Sequence, residues 1–361
     1  MKKILLSHPQ IGRQEKRAVV KVLKSGNLAQ GPEVSSFERE FSRFVGGRDC
    51  VAVNSGTSAL LLSLLALGIK EGDEVIVPSF TFAATANVVS LVGATPVFVD
   101  INPKTFNINS KSIIDSITPL TKAIIVVHLF GLPADMGEIV KIARDHSLFL
   151  IEDAAQAHMA SIGNEYVGTF GDAAAFSFYP TKNMTSGEGG MVVLSNPTLT
   201  RNCRLLRNQG MEVRYQNEIA GYNLRMTDIH ASIGRVQLTK LESMTLSRIE
   251  NANFLIEHLE TQFTPHIPST FLHVFHQFTI RVEKGRQEVI DYLSSKGISS
   301  GVYYPTPVHK LPTFHSEQSL FETEKASREV LSLPIHPRLT KRNLGYIANT
   351  VNKALEIVAK K

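Results

Sequence analysis

The feature that most constrains this chain is a rhythm of short apolar runs separated by helical patterns. Cys50–Val53, Asp73–Pro78, Thr95–Asp100, Lys122–His128, Leu148–Ile151 and Ala173–Phe178 read as strands. Ala59–Leu67, Ala83–Leu91, a short helix over Ile113–Ile117, and Met136–His146 fall between them. Strands alternating with helices predict an α/β fold, a mostly parallel sheet flanked by helices.

Two further amphipathic helices precede this region, Gly12–Leu23 and Glu33–Val45, the latter with Phe37, Phe41 and Phe44 on one face. After a last apolar strand, Met191–Leu194, the pattern changes. An arginine-rich helix is expected over Arg201–Gln209, then a long one from Asp228 past Leu259, kinked near Leu241–Thr245. That length suggests a connector between two domains, so the boundary is placed near 245: a large unit over 1–245 and a smaller α/β unit over 246–361. The second carries a strand at His276–Val282, a helix at Gly285–Lys296 stopped by Gly297, and a last helix over Lys341–Lys360.

Composition excludes several classes. The 361 residues include 38 basic and 33 acidic ones, a net charge of +5. These charges are scattered, so no nucleic-acid-binding tail is expected. Two cysteines, Cys50 and Cys203, with no Cys-x-x-Cys, argue against a cysteine-held metal or a disulfide framework. The N-terminus lacks a signal-peptide apolar region, and Ala59–Ile69 is shorter than the ~20 residues of a membrane span. The expectation is a soluble cytoplasmic protein with no membrane partner.

Chemistry concentrates where strands end. Pro180 closes the run Ala173–Phe178, and Lys182 follows just past it, before Gly187, Gly189 and Gly190. Ligands of open α/β sheets sit at the carboxyl ends of strands. A lysine there, partly desolvated, has a lowered pKa and can attack a carbonyl as a neutral amine. Read alone, the string also suits a surface lysine on a glycine-rich hairpin. A second feature is Asn54-Ser55-Gly56-Thr57-Ser58, a turn opening an apolar helix. Free N–H groups and the helix dipole make such a start an anion site, although Ser and Thr can equally serve as caps. No Gly-x-Gly-x-x-Gly or P-loop string occurs, so a nucleotide-binding fold of those kinds has no support.

Phe176-Ser177-Phe178-Tyr179-Pro180-Thr181-Lys182-Asn183 with Gly187-Glu188-Gly189-Gly190 resembles the lysine loop of the DegT/StrS-type sugar aminotransferases, fold-type-I enzymes dependent on pyridoxal phosphate (PLP). The resemblance extends over nearly the whole chain. It implies that Lys182 is the catalytic lysine and that Gly56, Thr57, Ser58 and Ser177 surround the cofactor phosphate. Phe82, in Pro78-Ser79-Phe80-Thr81-Phe82, would stack on the cofactor ring, although it also suits a core position. Asp153 comes directly off a strand, where a carboxylate needs a partner. It is assigned to the ring nitrogen, which must stay protonated to draw off electrons. Gln156 can reach the ring's phenolic oxygen. Tyr222-Asn223-Leu224-Arg225 resembles a segment in which Asn223 would serve the neighbouring subunit's phosphate, implying a homodimer. His309, in an aromatic-proline segment, is a sugar-site candidate, whereas Tyr303 and Tyr304 suit packing as well. His128, at a strand end, reads as a hydrogen-bonded core residue.

The chain departs from the family pattern at Met159, where glycine is common, and at Phe130 and Leu132 around Gly131. These differences fall on the sugar or donor pocket. The implied activity is transfer of an amino group from an amino acid, glutamate by expectation, to a nucleotide-linked keto sugar. The rivals are a PLP-dependent sugar dehydratase and a non-catalytic regulatory member of the fold. Lys182 and the low cysteine count disfavour the first; retention of Lys182 and Asp153 disfavours the second.

Overall fold

The computed structural model describes residues 3–260 and 264–360. Along the chain run α1 (Arg13–Ser25), α2 (Pro32–Ser42), β1 (Asp49–Val53), α3 (Gly56–Ala66), β2 (Glu74–Pro78), α4 (Ala84–Leu91), β3 (Thr95–Val99) and α5 (Ser110–Ile114). Next come β4 (Thr121–Val127), α6 (Met136–Asp145), β5 (Phe149–Asp153), β6 (Ser161–Ile162), β7 (Glu165–Tyr166), β8 (Ala173–Ser177) and β9 (Gly190–Leu194). The rest comprises α7 (Pro197–Arg207), α8 (Asp228–Leu238), α9 (Leu241–His258), β10 (Phe271–Leu272), β11 (Phe278–Arg281), α10 (Arg286–Ser295), α11 (Phe321–Glu329), β12 (Val330–Leu333) and α12 (Lys341–Ala359).

Seven strands form the main sheet in the order β1-β9-β8-β5-β4-β2-β3. Pairs from β8 through β3 are parallel, and β9 runs antiparallel to both its neighbours. Alternation along each strand divides the core between the two faces. Val51, Val53, Ala173, Ala175, Val192 and Leu194 pack against α3, which is apolar on nearly every side. Cys50, Ala52, Ala174, Phe176, Met191 and Val193 face the other way, toward Phe37 and Phe41 of α2. Phe41 meets Phe176 edge-on with ring centroids 5.1 Å apart. The sheet is therefore covered on both faces, and its strand ends are left for a site. Among the described residues no helix is long and apolar enough to cross a membrane.

Several boundaries differ from the sequence-based expectation. The short helix lies at Ser110–Ile114 because Asn109 Oδ1 accepts the N–H groups of Lys111 and Ser112 and starts it early. The arginine-rich helix begins at Pro197 and ends at Arg207, capped by Asn196. The long connector is two helices, broken at Thr239–Lys240, where the Lys240 ammonium reaches Glu15 Oε1 at 2.6 Å. A further apolar core, running from Ala252 to Leu355, packs α9, α10 and α12 around β11 and β12 and takes in Ile4 from the start of the chain. The expected strand at His276–Val282 is shorter, because it pairs with β12 only from Phe278 to Arg281.

Candidate active site

A cavity of about 350 Å³ opens at the carboxyl edge of the main sheet. Val127, Asp153 and Ser177, the last residues of β4, β5 and β8, line it, with Ser55, Gly56 and Thr57 after β1 and Thr81 and Phe82 after β2. Lys182, Gln156, Glu188, His276, Gln277 and Tyr304 complete most of its wall. Of the residues singled out from sequence, Gly56, Thr57, Phe82, Asp153, Gln156, Ser177 and Lys182 converge here.

Lys182 owes its place to the turn after β8. Its N–H donates to the Tyr179 carbonyl at 2.9 Å, and the chain returns into β9 through Gly189. Gly189 has φ +151°, and a Cβ there would lie 2.4 Å from Met226 Cε, so only glycine fits. Burial pushes the Lys182 amine down to about 8, with the Asp153 charge pulling the other way. A lowered pKa raises the neutral fraction at neutral pH, which is what a lysine nucleophile or proton carrier needs.

Asp153 is 6% exposed. Thr85 Oγ1 donates to its Oδ2 at 2.8 Å and the Ala155 N–H to its Oδ1 at 3.2 Å. Burial outweighs these donors and the pull of Lys182, so its pKa is raised. A buried carboxylate in that condition has room for a cationic partner.

At the start of α3, Ser55 caps the helix by accepting the Ser58 N–H at 3.0 Å. A Cβ on Gly56 would fall 2.7 Å from Ser177 Cβ, so the glycine permits β8 and the helix start to meet. Ser58 is turned away from the cavity: its hydroxyl donates to Asn54 Oδ1 at 2.6 Å, and Ser55 lines the wall in its stead. Phe82 is not core but 58% exposed at the cavity. Gln156 is fixed at both ends of its amide: the Phe130 N–H donates to Oε1 at 2.7 Å, and Nε2 donates to Tyr304 Oη at 3.0 Å.

Two expected residues lie elsewhere. Asn223 is exposed, between α7 and α8, and does not line the cavity of its own chain. His309 is wholly buried, with Nδ1 2.5 Å from Ser79 Oγ and its N–H on the same oxygen, so it secures the C-terminal segment to the loop after β2. His128 is the core residue it was expected to be, bonded to Glu152 at 3.0 Å. The sequence reading missed Thr85, whose only signal is a polar residue on the buried face of a short apolar helix, and left Tyr304 undecided.

A model of the DegT/DnrJ/EryC1/StrS aminotransferase family matches residues 9–352. The chain is 42% identical over 341 residues to UDP-N-acetyl-3-dehydro-alpha-D-glucosamine 3-aminotransferase of Acidithiobacillus ferrooxidans, covering 93% of this chain and 92% of the relative. It is 38% identical over 360 residues to dTDP-3-amino-3,4,6-trideoxy-alpha-D-glucose transaminase of Streptomyces venezuelae, covering 98% and 95%. Among solved structures it resembles NtdA of Bacillus subtilis with bound cofactor PMP, at TM-score 0.88 and 33% identity, over 97% of this chain and 83% of that one. With a family model spanning nearly its full length and relatives this similar over theirs, the chain belongs to the DegT/DnrJ/EryC1/StrS aminotransferase family.

Proposed function

We propose that the protein is a PLP-dependent aminotransferase that moves an amino group from an amino acid, with glutamate as the expected donor, onto a keto sugar carried on a nucleotide. The observation that carries this reading is one cavity holding a lysine amine lowered to about 8, a buried carboxylate short of donors, and an open helix start. Those residues fit PLP. Gly56 and Thr57, in the first turn of α3, have N–H groups without intrahelical acceptors and would hold the phosphate with Ser177. Ser58 supports that turn through its cap rather than through the cavity. Phe82 offers an uncovered aromatic face to the ring, Asp153 a carboxylate to its nitrogen, and Gln156 one unused amide proton to its phenolic oxygen.

When bound, PLP supplies an aldehyde that amines can join and a protonated ring that draws off electrons. Lys182 Nζ would hold the aldehyde carbon and, as a neutral amine, would carry the proton between the donor's α-carbon and that carbon of the cofactor. Its lowered pKa suits both directions. Asp153 would keep the ring nitrogen charged, and Phe82 and Tyr304, with ring centroids 6.1 Å apart, would flank the ring.

Incubation with nucleotide-linked keto sugars and glutamate, with mass spectrometry of the product, identifies the acceptor. Lys182→Arg keeps a cation that cannot act as an amine, and Lys182→Ala removes it. Both should lose turnover, and near-parental turnover in either would remove Lys182 from this role. The resemblance of Tyr222-Asn223-Leu224-Arg225 to a segment that acts across subunits, with Asn223 outside its own chain's cavity, supports a homodimer with shared sites. Mixing inactive Lys182→Ala with inactive Asn223→Ala should then recover partial activity, and a fully active monomer would end that idea. A cytoplasmic location and a division near 245 complete the reading, and limited proteolysis addresses the division.

A further inference from the structure

Tyr304 reaches the cavity from the C-terminal part of the chain, 148 positions from the glutamine it touches. The Phe130 N–H on Gln156 Oε1 settles which end of that amide is which, so Nε2 is the donor and Tyr304 Oη the acceptor. The phenol's own proton must go elsewhere. Among the described residues no other hydrogen bond engages the Tyr304 hydroxyl, and its remaining open side is the cavity. Burial pushes this hydroxyl up, with the Asp153 charge adding and Gln156 opposing, so it stays a donor across the working range. The wall therefore presents two adjacent donors, the second N–H of Gln156 and the O–H of Tyr304. Such a pair fits an oxygen that carries negative charge.

We propose that Tyr304 is a positioning residue that donates its hydroxyl proton to the same cofactor oxygen as Gln156, the phenolic oxygen of PLP. This rests on the functional reading above. The other polar ends of the ring system have claimants, Asp153 for the nitrogen and the α3 start for the phosphate, which leaves the two donors to the phenolic oxygen. A second donor draws negative charge from that oxygen. The oxygen then holds less firmly the proton on the neighbouring nitrogen joined to Lys182. Tyr304 thus sets the pH at which that nitrogen becomes neutral.

Besides Tyr304, the titratable groups around this nitrogen are Asp153, Tyr179, Glu188, His276 and Tyr303 in the cavity, His158 beside it, and His8 and Arg248 behind. Burial holds His158 and His276 below 6.5 and hence uncharged. Tyr304→Phe leaves all of them in place and keeps the ring packed on Phe80 and Phe82.

The test titrates the visible absorption band of the holoenzyme at saturating PLP, without sugar or donor. Tyr304→Phe should raise the band's midpoint by about one pH unit and weaken PLP binding roughly tenfold, as expected for one lost charge-assisted hydrogen bond. An unmoved midpoint overturns the proposal. In parallel steady-state assays with the nucleotide-linked keto sugar, a change confined to its KM also overturns it, since that would assign the hydroxyl to a substrate oxygen instead. A parent in which borohydride traps no PLP adduct on Lys182 overturns the functional reading itself. A normal parent band with an unmoved variant sinks only the role of Tyr304.

Discussion

Glu152 and Asp153 are consecutive carboxylates at the end of one strand, and they point to opposite faces of the sheet. Glu152 is fully buried and has everything it needs: His128 Nε2 at 3.0 Å, and the N–H groups of Gly168, Phe170 and Gly171 at 2.7–2.8 Å. The Ala134 N–H donates to His128 Nδ1, which leaves Nε2 as the donor to Glu152. Burial alone would raise the Glu152 pKa, but His128 and the backbone donors more than undo it, so Glu152 stays charged. Asp153 is buried with only Thr85 and Ala155 to serve it, and there burial wins. One charge is complete inside the chain and stitches β4, β5 and the 168–171 loop together. Its neighbour is left incomplete, which is how a carboxylate reserved for a ligand differs from one that serves the fold.

The largest effect should come from breaking the complete side. Glu152→Gln places an NH₂ group among four donors and should cost about 3–5 kcal/mol of stability, read from urea unfolding midpoints. A loss under about 1 kcal/mol would show that the four bonds contribute little beyond water. The pH dependence has a definite sign. The stability from Glu152 is present above its ordinary value of 4.5 and is lost as pH falls through its lowered folded value. The gap between parent and variant should therefore close in acid below 4.5.

Asp153→Asn should invert that outcome. Removing the charge that supports the ring nitrogen should lower kcat by on the order of 10²–10³, in the range seen for loss of one key electrostatic contact. Yet the protein without PLP should not suffer. A raised folded pKa means that the stability Asp153 contributes is present below 3.8 and lost as pH rises through the folded value. At neutral pH the carboxylate is then a burden, and the variant should melt roughly 2 °C higher without PLP. A lower melting temperature would mean that Asp153 is held for the fold, as Glu152 is, and the contrast would fail.

How far the sequence discloses this arrangement depends on what each residue's role is made of. Strands buried on both faces, such as Ala173–Phe178, need an unbroken apolar run whatever packs on them, so the main sheet was legible. Two-residue strands such as β6 and β10 exist only through register, and β12 is a strand because β11 lies beside it. α11 is charged at Glu322, Glu324, Lys325 and Arg328 and shows little of its buried side to the reader. Within the site, Asp153 stood out as a charge at a strand end, whereas Lys182 was readable only through the resemblance of its loop, since the string alone equally suits a surface hairpin. Ser55 and Ser58 were not separable, since either serine can cap and the choice lies in the turn's dihedrals. His309 has the chemistry of a site residue, but its depth behind Ser79 is set by tertiary contacts alone. Tyr304 meets Gln156 across 148 positions, a pairing with no local trace.

The smallest expected effect sharpens the contrast instead of breaking it. Thr85 is fully buried on α4, and its hydroxyl is the nearer of the two donors to Asp153, itself 3.2 Å from Thr81 Oγ1. Thr85→Val keeps the shape and removes the hydroxyl. Losing one hydrogen bond to a charged acceptor should lower kcat about 3–10-fold. The sign in pH is fixed by what Thr85 does now: its hydrogen bond holds Asp153 down against burial. Without it the carboxylate protonates at higher pH, so the acid limb of kcat/KM should move upward. An acid limb that stays put while kcat falls would mean that Thr85 only packs α4 against β5. Because PLP itself would bring a cation to Asp153, the melting temperature of Thr85→Val should drop more without the cofactor than with it. A Glu152 donor offers no such rescue: loss of the His128 ring nitrogen, for example by His128→Leu, should destabilise the protein equally whether or not PLP is bound.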